Sequence, residues 1–397
     1  MTQSIKIGEI SSQIRGVSYS KSDVILKKAV GYLPVLRANN IQENGLLLSD
    51  FVYVPDNKIS IKQKIKAGDV LIAASSGSID VVGKAASTKE DIDAGFGAFC
   101  KILRPNLEVV DASYFAHFFQ TKKYRRTISN LAMGANINNL KNEHLDNLEI
   151  LLPSLAEQRR IASILDKADE LRQKRQQSIE KLDQLLQATF IDMFGDPVSN
   201  PKQFSLVKLE DLVEKPITYG VLKPEEYNEN GIPMLRIQDI NTKAELHQLS
   251  NFHLISQQLS NQYKRTILNG EEIVISLVGT IGLVAKIPKS FKGFNVHRNL
   301  GIIDLNDKKI VDYLLYFMKM PEFSTLLDRI CKGGVHKLLN LTDLRALKIP
   351  IPPKELQEKW SRIALNIENQ KQKLHEQLDI QTQLFASLQN QAFNGKL

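Results

Sequence analysis

The chain states most of its pattern twice, about 199 residues apart, and this duplication constrains its fold more than any other feature. Residues 148–195 align with 347–394 without a gap. Leu148-Glu149-Ile150-Leu151-Leu152-Pro153 meets Leu347-Lys348-Ile349-Pro350-Ile351-Pro352, Gln158 meets Gln357, and Ile164, Leu185 and Phe194 meet Ile363, Leu384 and Phe393. Upstream, Pro34-Val35-Leu36-Arg37 meets Pro233-Met234-Leu235-Arg236 in the same register. Gly68-Asp69 and Gly77-Ser78-Ile79 meet Gly270-Glu271 and Gly279-Thr280-Ile281 at an offset of 202. A period this long is no solenoid repeat. It is the length of a whole module plus a long helix, so the chain holds two copies of one unit.

The best-matched parts read as the helices. From Ser154 to Met193 there is no Gly or Pro. Apolar residues recur with 4-3 spacing at Ile161, Leu165, Ala168, Ile179, Leu182, Leu186 and Met193, with Arg172 and Arg175 interrupting. A second line, Ile164, Leu171 and Leu185, widens the stripe. Ser154 with Glu157 three residues on predicts a capping box, and Gly195-Asp196-Pro197 a stop. The second helix starts near Pro353, carries Trp360, Ala364, Ile367, Leu374, Leu378, Phe385, Leu388 and Ala392, and stops at Asn394-Gly395. Forty residues of helix extend about 60 Å. So long an apolar stripe needs a cover, either the other helix in a coiled coil or each helix's own module.

The rest of each copy reads as an α+β module. Short β-branched runs, Asp69–Ala73 and Glu272–Ser276, end in Gly-bearing turns. One helical stretch follows, near Ala112–Arg126 and near Ile310–Arg329, and then a glycine loop into the Leu-x-Ile-x-x-Pro border strand. The expected divisions are residues 1–153, 154–195, 196–352 and 353–397.

Charge sits on the modules. The net +8 divides as +4 for residues 1–153, −1 for 154–197, +4 for 198–352 and +1 for 353–397. Such parcels suit phosphate contacts, and equally a slightly basic protein with no such role. No apolar run reaches the roughly 18–20 residues that span a bilayer. The opening MTQSIKIGEISSQIRG lacks the layout of a secretory signal. A cytoplasmic location is expected, with Cys100 and Cys331 as small buried hydrophobes.

Catalytic motifs fail one by one. Gly77 to Lys84 has one residue too many for a phosphate loop and lacks the magnesium-binding hydroxyl, so a strand-turn-strand is the better reading. The seven histidines form no metal-ligand spacing. No nucleophile elbow and no Asn-Pro-Pro-aromatic motif is present. What remains suits nucleic acid. Lys122, Lys123, Tyr124, Arg125 and Arg126 form the densest basic cluster, which reads either as phosphate contacts or as a solvated helix end. Asn136, Asn138 and Asn139 are amides able to pair with adenine, or turn residues. In the second copy the candidates are Arg298, Lys332, His336 and Lys337. The matched Arg37 and Arg236 read as structural, each pairing a carboxylate in its own module.

Two modules of about 150 residues, each closed by Ile-x-x-Pro and a long Gln-bearing helix, resemble the specificity (S) subunit of type I restriction–modification systems. The residues that carry the likeness are Leu155-Ala156-Glu157-Gln158-Arg159-Arg160-Ile161, Pro352 to Gln357, the Leu36-Arg37 and Leu235-Arg236 runs, and the Gly-Asp/Glu and Gly-Ser/Thr-Ile pairs. The resemblance implies two target recognition domains, each reading one half of a split site in double-stranded DNA. It implies two helices paired as an antiparallel coiled coil, which space the modules and dock methyltransferase subunits, two of them expected. Restriction subunits would join through that complex. The chain itself would have no active site, no metal and no cofactor, with S-adenosylmethionine on the methyltransferase. The helix contacts implied are Ile161, Leu165, Ala168, Ile179, Leu182 and Leu186 with Trp360, Ile367, Leu374, Leu378, Phe385 and Leu388. One departure is Lys354-Glu355-Leu356-Gln357 where the central border has Leu155-Ala156-Glu157-Gln158, so the two docks are expected to differ. The alternatives are a coiled-coil adaptor that binds protein and a stand-alone DNA-modifying enzyme.

Overall fold

A computed structural model describes residues 3–42, 45–134, 139–223, 227, 229–240, 252–331 and 338–397. The chain forms two compact units, Met1–Ser178 with Leu374–Leu397, and Ile179–Lys373. Each is one sequence copy plus half of each long helix.

In the first unit a four-stranded antiparallel sheet runs in the order Ser11–Arg15, Cys100–Pro105, Val70–Ala73, Ala85–Ser87. A three-stranded sheet places Tyr32–Leu36 between Val52–Pro55 and, in parallel, Gly95–Phe96. Val70–Ala73 is buried at every position, as a central strand covered on both faces should be. It pairs with Ala85–Ser87, so the phosphate-loop lookalike is a hairpin connection. The border strand Glu149–Leu152 pairs antiparallel with Gln3–Lys6, tying the two ends of the module together.

The helical stretch of this copy is two helices, not one: α1 (Ala112–Phe118) and α2 (Lys122–Gly134). Thr121 separates them, because its hydroxyl accepts from Tyr124 N at 3.1 Å and caps the second helix. The long helix α3 spans Leu155–Phe194. Its capping box is half made. Ser154 Oγ accepts from Glu157 N at 3.4 Å, but the Glu157 carboxylate turns to Arg160. Gly195 ends the helix in the left-handed region, φ 76°, and Lys202 donates to the last carbonyls at Asp192 and Met193.

The second unit repeats the plan. Its sheets run Thr218–Tyr219, Leu300–Ile303, Ile273–Ser276, Val284–Lys286, and His253–Ile255, Ile232–Leu235, Asn295–Val296. Lys348–Ile351 pairs with Ser205–Lys208. Two helices again replace the single stretch, α4 (Val311–Lys319) and α5 (Pro321–Ile330), here because Pro321 opens a new first turn. The last long helix, α6, spans Lys354–Ala392.

The long helices pair antiparallel within each unit. In the first, the Arg172 guanidinium lies 4.9 Å over the Phe385 ring and Arg175 donates to Gln377. In the second, Lys371 pairs with Asp183 at 2.7 Å, and the Trp360 and Phe190 rings are 5.2 Å apart. Moving up α3 therefore means moving down α6. The stripe residues Ile161, Leu165, Ile179, Leu186, Trp360, Ile367 and Phe385 are buried, and Ala168, Leu182, Leu374, Leu378 and Leu388 are half-buried. Most of them pack into a module core: Ile161, Leu165, Ala168, Phe385 and Leu388 in the first unit, Leu182, Leu186, Trp360 and Ile367 in the second. Trp360 also touches Tyr316 of α4, ring to ring at 5.1 Å, and donates to Asp312 O at 3.4 Å. Tyr114 of α1 meets Phe393 at 5.0 Å. The helix pair and the modules thus share one core per unit. One matched bond anchors that core: Tyr114 and Tyr313 donate to the border carbonyls of Leu151 and Pro350, each at 2.7 Å.

Candidate nucleic-acid interface

The basic cluster at α2 divides by function once folded. Lys122, Lys123 and Arg126 are exposed and line a groove shared with Asn390 of α6 and with Asn394 just past its end. Tyr124 is buried, and its hydroxyl donates to Gly83 O at 2.9 Å. It cannot stack on a ligand, which corrects its place among the candidates. The cause is the helix period: Tyr124 and Ile128 lie four apart on the face turned to the core. Arg125 is half-buried and donates to Val82 O at 3.0 Å and Asp80 O at 3.1 Å, so it holds the hairpin connection rather than facing outward.

Asn139 is exposed and forms a bridge with Ser75, matched by Leu338 with Val278 in the second unit. Asn136, Asn138, Lys332, His336 and Lys337 lie outside the described residues. Arg37 and Arg236 do sit beside carboxylates, Asp50 at 3.5 Å and Asp239 at 3.6 Å. In each, the arginine backbone N–H also donates to the side chain three residues on, Asn40 at 2.9 Å and Asp239 at 2.7 Å, which closes the same short turn. Cys100 is buried, and burial pushes its thiol up to about 12. Cys331 is only half-buried against its core.

Both modules build alike a turn that leaves no clear local pattern in the sequence. In the first, Cys100 N donates to Gly97 O at 2.8 Å, leaving Ala98 and Phe99 at the tip. In the second, Leu300 N donates to His297 O at 2.9 Å, leaving Arg298 and Asn299 there. The backbone is held from two sides. Gly97 N donates to Leu36 O and His297 N to Leu235 O, at 2.8 and 2.9 Å. Phe99 O accepts from Ala74 N and Asn299 O from Leu277 N, at 2.9 and 2.8 Å. Gly16 and Gly220 lie under these turns so closely that a Cβ would stand 2.0 Å from Gly97 O or 1.9 Å from Val296 O. Only glycine fits there. The matched Gly-Val pairs, Gly16-Val17 and Gly220-Val221, were the sequence signal for the turn.

The turns differ in charge. In the second unit burial lowers the His297 pKa, and the nearby Arg298, Arg236 and His253 push the same way. Arg298 is exposed and donates to Leu222 O at 3.3 Å. Arg298 and Arg236 both lie near His297, and Arg236 pairs with Asp239. In the first unit the turn borders a groove lined by Arg15, Lys101, Asn139 and Lys141, with Glu143 and Asp146 on one side. Lys101 is tied down, donating to Leu140 O and Asn142 Oδ1, each at 2.7 Å. Among the described residues no group of His, Cys, Asp and Glu could hold a metal, and no helix is long and apolar enough to cross a membrane.

Comparison with known proteins agrees with the duplication. The family described as type I restriction modification DNA specificity domain matches residues 2–181 and again 201–383. The specificity subunit of the StySPI type I restriction enzyme of Salmonella potsdam is 30% identical over 363 residues, 87% of this chain and 78% of that protein. That of the EcoKI enzyme of Escherichia coli K12 is 29% identical over 372 residues, with the same coverage. Among solved structures, the type I S subunit from M. genitalium superposes over 99% of this chain and 96% of its own, with a TM-score of 0.56 at 14% identity. A chain from a structure of a type I restriction–modification system matches over 100% and 98%, with the same TM-score at 17% identity. These two likenesses are of fold.

Proposed function

The chain belongs to the family of type I restriction–modification specificity subunits, and we propose that its two modules each read one half of an asymmetric, bipartite site in double-stranded DNA. The observation that carries this reading is the repeat itself. Two modules share one strand order and one pinned turn, yet carry unlike side chains at its tip. A common frame with different contact residues suits two different half-sites. The antiparallel helices would set the gap between the halves and dock methyltransferase subunits, two per chain, matching the two copies of the border sequence. S-adenosylmethionine would be bound there, and restriction subunits would join through the same complex. Exposed Lys122, Lys123 and Arg126 would contact phosphate, and Asn139 and Arg298 would lie at the DNA surface.

The test is a matched insertion of four residues after Gln176 and beside Gln377, which adds about 6 Å to each helix. At about 3.4 Å per base pair the gap in the methylated motif lengthens by one or two base pairs. Sequencing of methylated positions reads this directly, and an unchanged gap would refute the spacing role. A protein-binding adaptor would instead give no enriched motif from random duplex.

A further inference from the structure

We propose that the turn Gly97–Cys100 and its counterpart His297–Leu300 are base-reading elements, with Phe99 contacting a thymine methyl in one half-site and Arg298 a guanine edge in the other. This rests on the DNA-reading function above and names residues within it.

Three observations carry it. First, the backbone of the turn is over-determined. Hydrogen bonds from two strands and a glycine contact fix it in both modules, so the tip side chains leave from equivalent, rigid positions. Rigid presentation is what a specific contact needs. Second, three of the four tip residues, Ala98, Phe99 and Arg298, are exposed. Phe99 is 70% exposed, an unusual place for a ring of its size, and the second module puts a polar Asn299 at the same position. A position that accepts either phenylalanine or asparagine on one backbone is not selected for the core. Third, the surroundings suit a polyanion. The first turn borders Arg15 and Lys141, in a groove that Glu143 and Asp146 also line, and the second carries Arg298 with Arg236 close by, both near His297. Among the described residues the other strongly exposed aromatic ring, Tyr227, lies 6.0 Å from His253 in that same region.

The chemistry then divides the two modules. Phenylalanine offers no donor, and its apolar match in the major groove is the thymine C5-methyl. Arginine offers a planar fork that fits guanine O6 and N7. Its bond to Leu222 O holds the side chain and leaves the guanidinium exposed.

The experiment uses the full chain co-produced with its methyltransferase subunits, with methylated sites sequenced from a random duplex library. F99A should lower the preference at one base pair of one half-site by roughly tenfold and leave the other half unchanged. R298A should relax one G·C position in the other half by roughly ten- to hundredfold. The double change A98R with F99N should convert the thymine preference of the first half to a purine preference. Unchanged motifs in F99A and R298A, alongside a bipartite wild-type motif, would overturn the assignment and leave the half-site reading standing. A uniform loss across all sequences would also overturn it, since that marks non-specific contact. A wild-type protein with no bipartite motif would sink the half-site reading and the turn assignment together.

Discussion

The two modules match where backbone meets backbone and diverge where side chains meet, most sharply at the contact of each module with the helix pair. In the first, His117 and Ser113 of α1 converge on Asp166 of α3, at 3.2 Å and 2.9 Å. In the second, Tyr316 of α4 bonds Glu368, which also accepts from Lys371, itself paired with Asp183. Ile161 of the first corresponds to Trp360 of the second. Each junction is satisfied by a different set of polar groups, and each still holds a long helix against its module. The lesson is that the matched elements are those bonded through backbone: the border strands, the tyrosine-to-carbonyl bonds and the pinned turns. Side-chain networks were free to drift once those were fixed.

The sharpest difference in packing lies at the aromatic centre of the second unit. Trp360 is fully buried among Phe190, Phe194 and Tyr316. Trp360→Ala should cost about 3–5 kcal/mol and Ile161→Ala about 2–5 kcal/mol, with the larger cavity left at Trp360. Denaturant unfolding should therefore rank the tryptophan variant as the less stable. Equal losses would mean the second unit has no special dependence on its ring cluster.

A smaller asymmetry lies at the matched glutamines. Gln158 accepts from Asp111 N at 2.8 Å and donates to Pro153 O at 2.8 Å and Val109 O at 3.2 Å. Gln357 donates to Pro352 O at 2.7 Å, but its buried Oε1 has no partner among the described residues. Gln158→Ala leaves buried groups unpaired and should cost about 1–3 kcal/mol, whereas Gln357→Ala removes an orphan oxygen and should cost less. Thermal unfolding of the two variants orders them, and the reverse order would refute the claim that only the first glutamine ties its helix to α1.

The junctions should also separate by pH. Burial pulls the Asp166 carboxyl up, but its bonds to His117 and Ser113 and the charges of His117 and Lys89 outweigh this and hold it at about 2, against 3.8 ordinarily. A depressed folded value means the stabilisation is present above about pH 4 and is lost as pH falls toward 2. Burial pulls Lys371 down, and Asp183 with Glu368 more than reverse it, so its pKa is raised above 10.5. Burial, then Glu368, raises the Tyr316 hydroxyl above 10.0. Those contributions are present at neutral pH and are lost as pH rises beyond about 10. Asp166→Asn should flatten the acid arm of a stability profile, and Lys371→Met the alkaline arm. Interchanged effects would contradict the pairing of each arm with its module.

Much of this was legible in the sequence. The repeat gave two modules, and the stripes of α3 and α6 gave a paired helix, because burial imposes a 3.6-residue period that survives without tertiary knowledge. The break between α1 and α2 was not legible, since Thr121 ends one helix through a local side-chain bond inside a run of good helix formers. The pinned turn was also missed. Its strands Gly95–Phe96 and Asn295–Val296 are two residues long, and parallel pairing with Tyr32–Leu36 or Ile232–Leu235 leaves no local pattern. Tyr124 was misread for the opposite reason. Charge drew attention to Lys122–Arg126, while the period that buries Tyr124 shows only when Ile128 is counted with it.

That misreading yields the finest comparison, within a single helix. Lys122, Lys123 and Arg126 are exposed on α2, and Arg125 between them is bonded to Val82 and Asp80. If the exposed three contact phosphate, changing them to Ala should reduce the salt dependence of DNA binding, each lost contact lowering the slope of log K against log salt by about 0.9. The fold should be unaffected, because none of the three is buried. Arg125→Ala should do the reverse. It frees two carbonyls of the hairpin connection and lowers the unfolding midpoint, with little change in the salt slope. Binding titrations at several salt concentrations, beside thermal melts, distinguish the two groups. A flattened slope in Arg125→Ala with an intact melt would return that arginine to the DNA surface, and an unchanged slope in the triple variant would remove α2 from it.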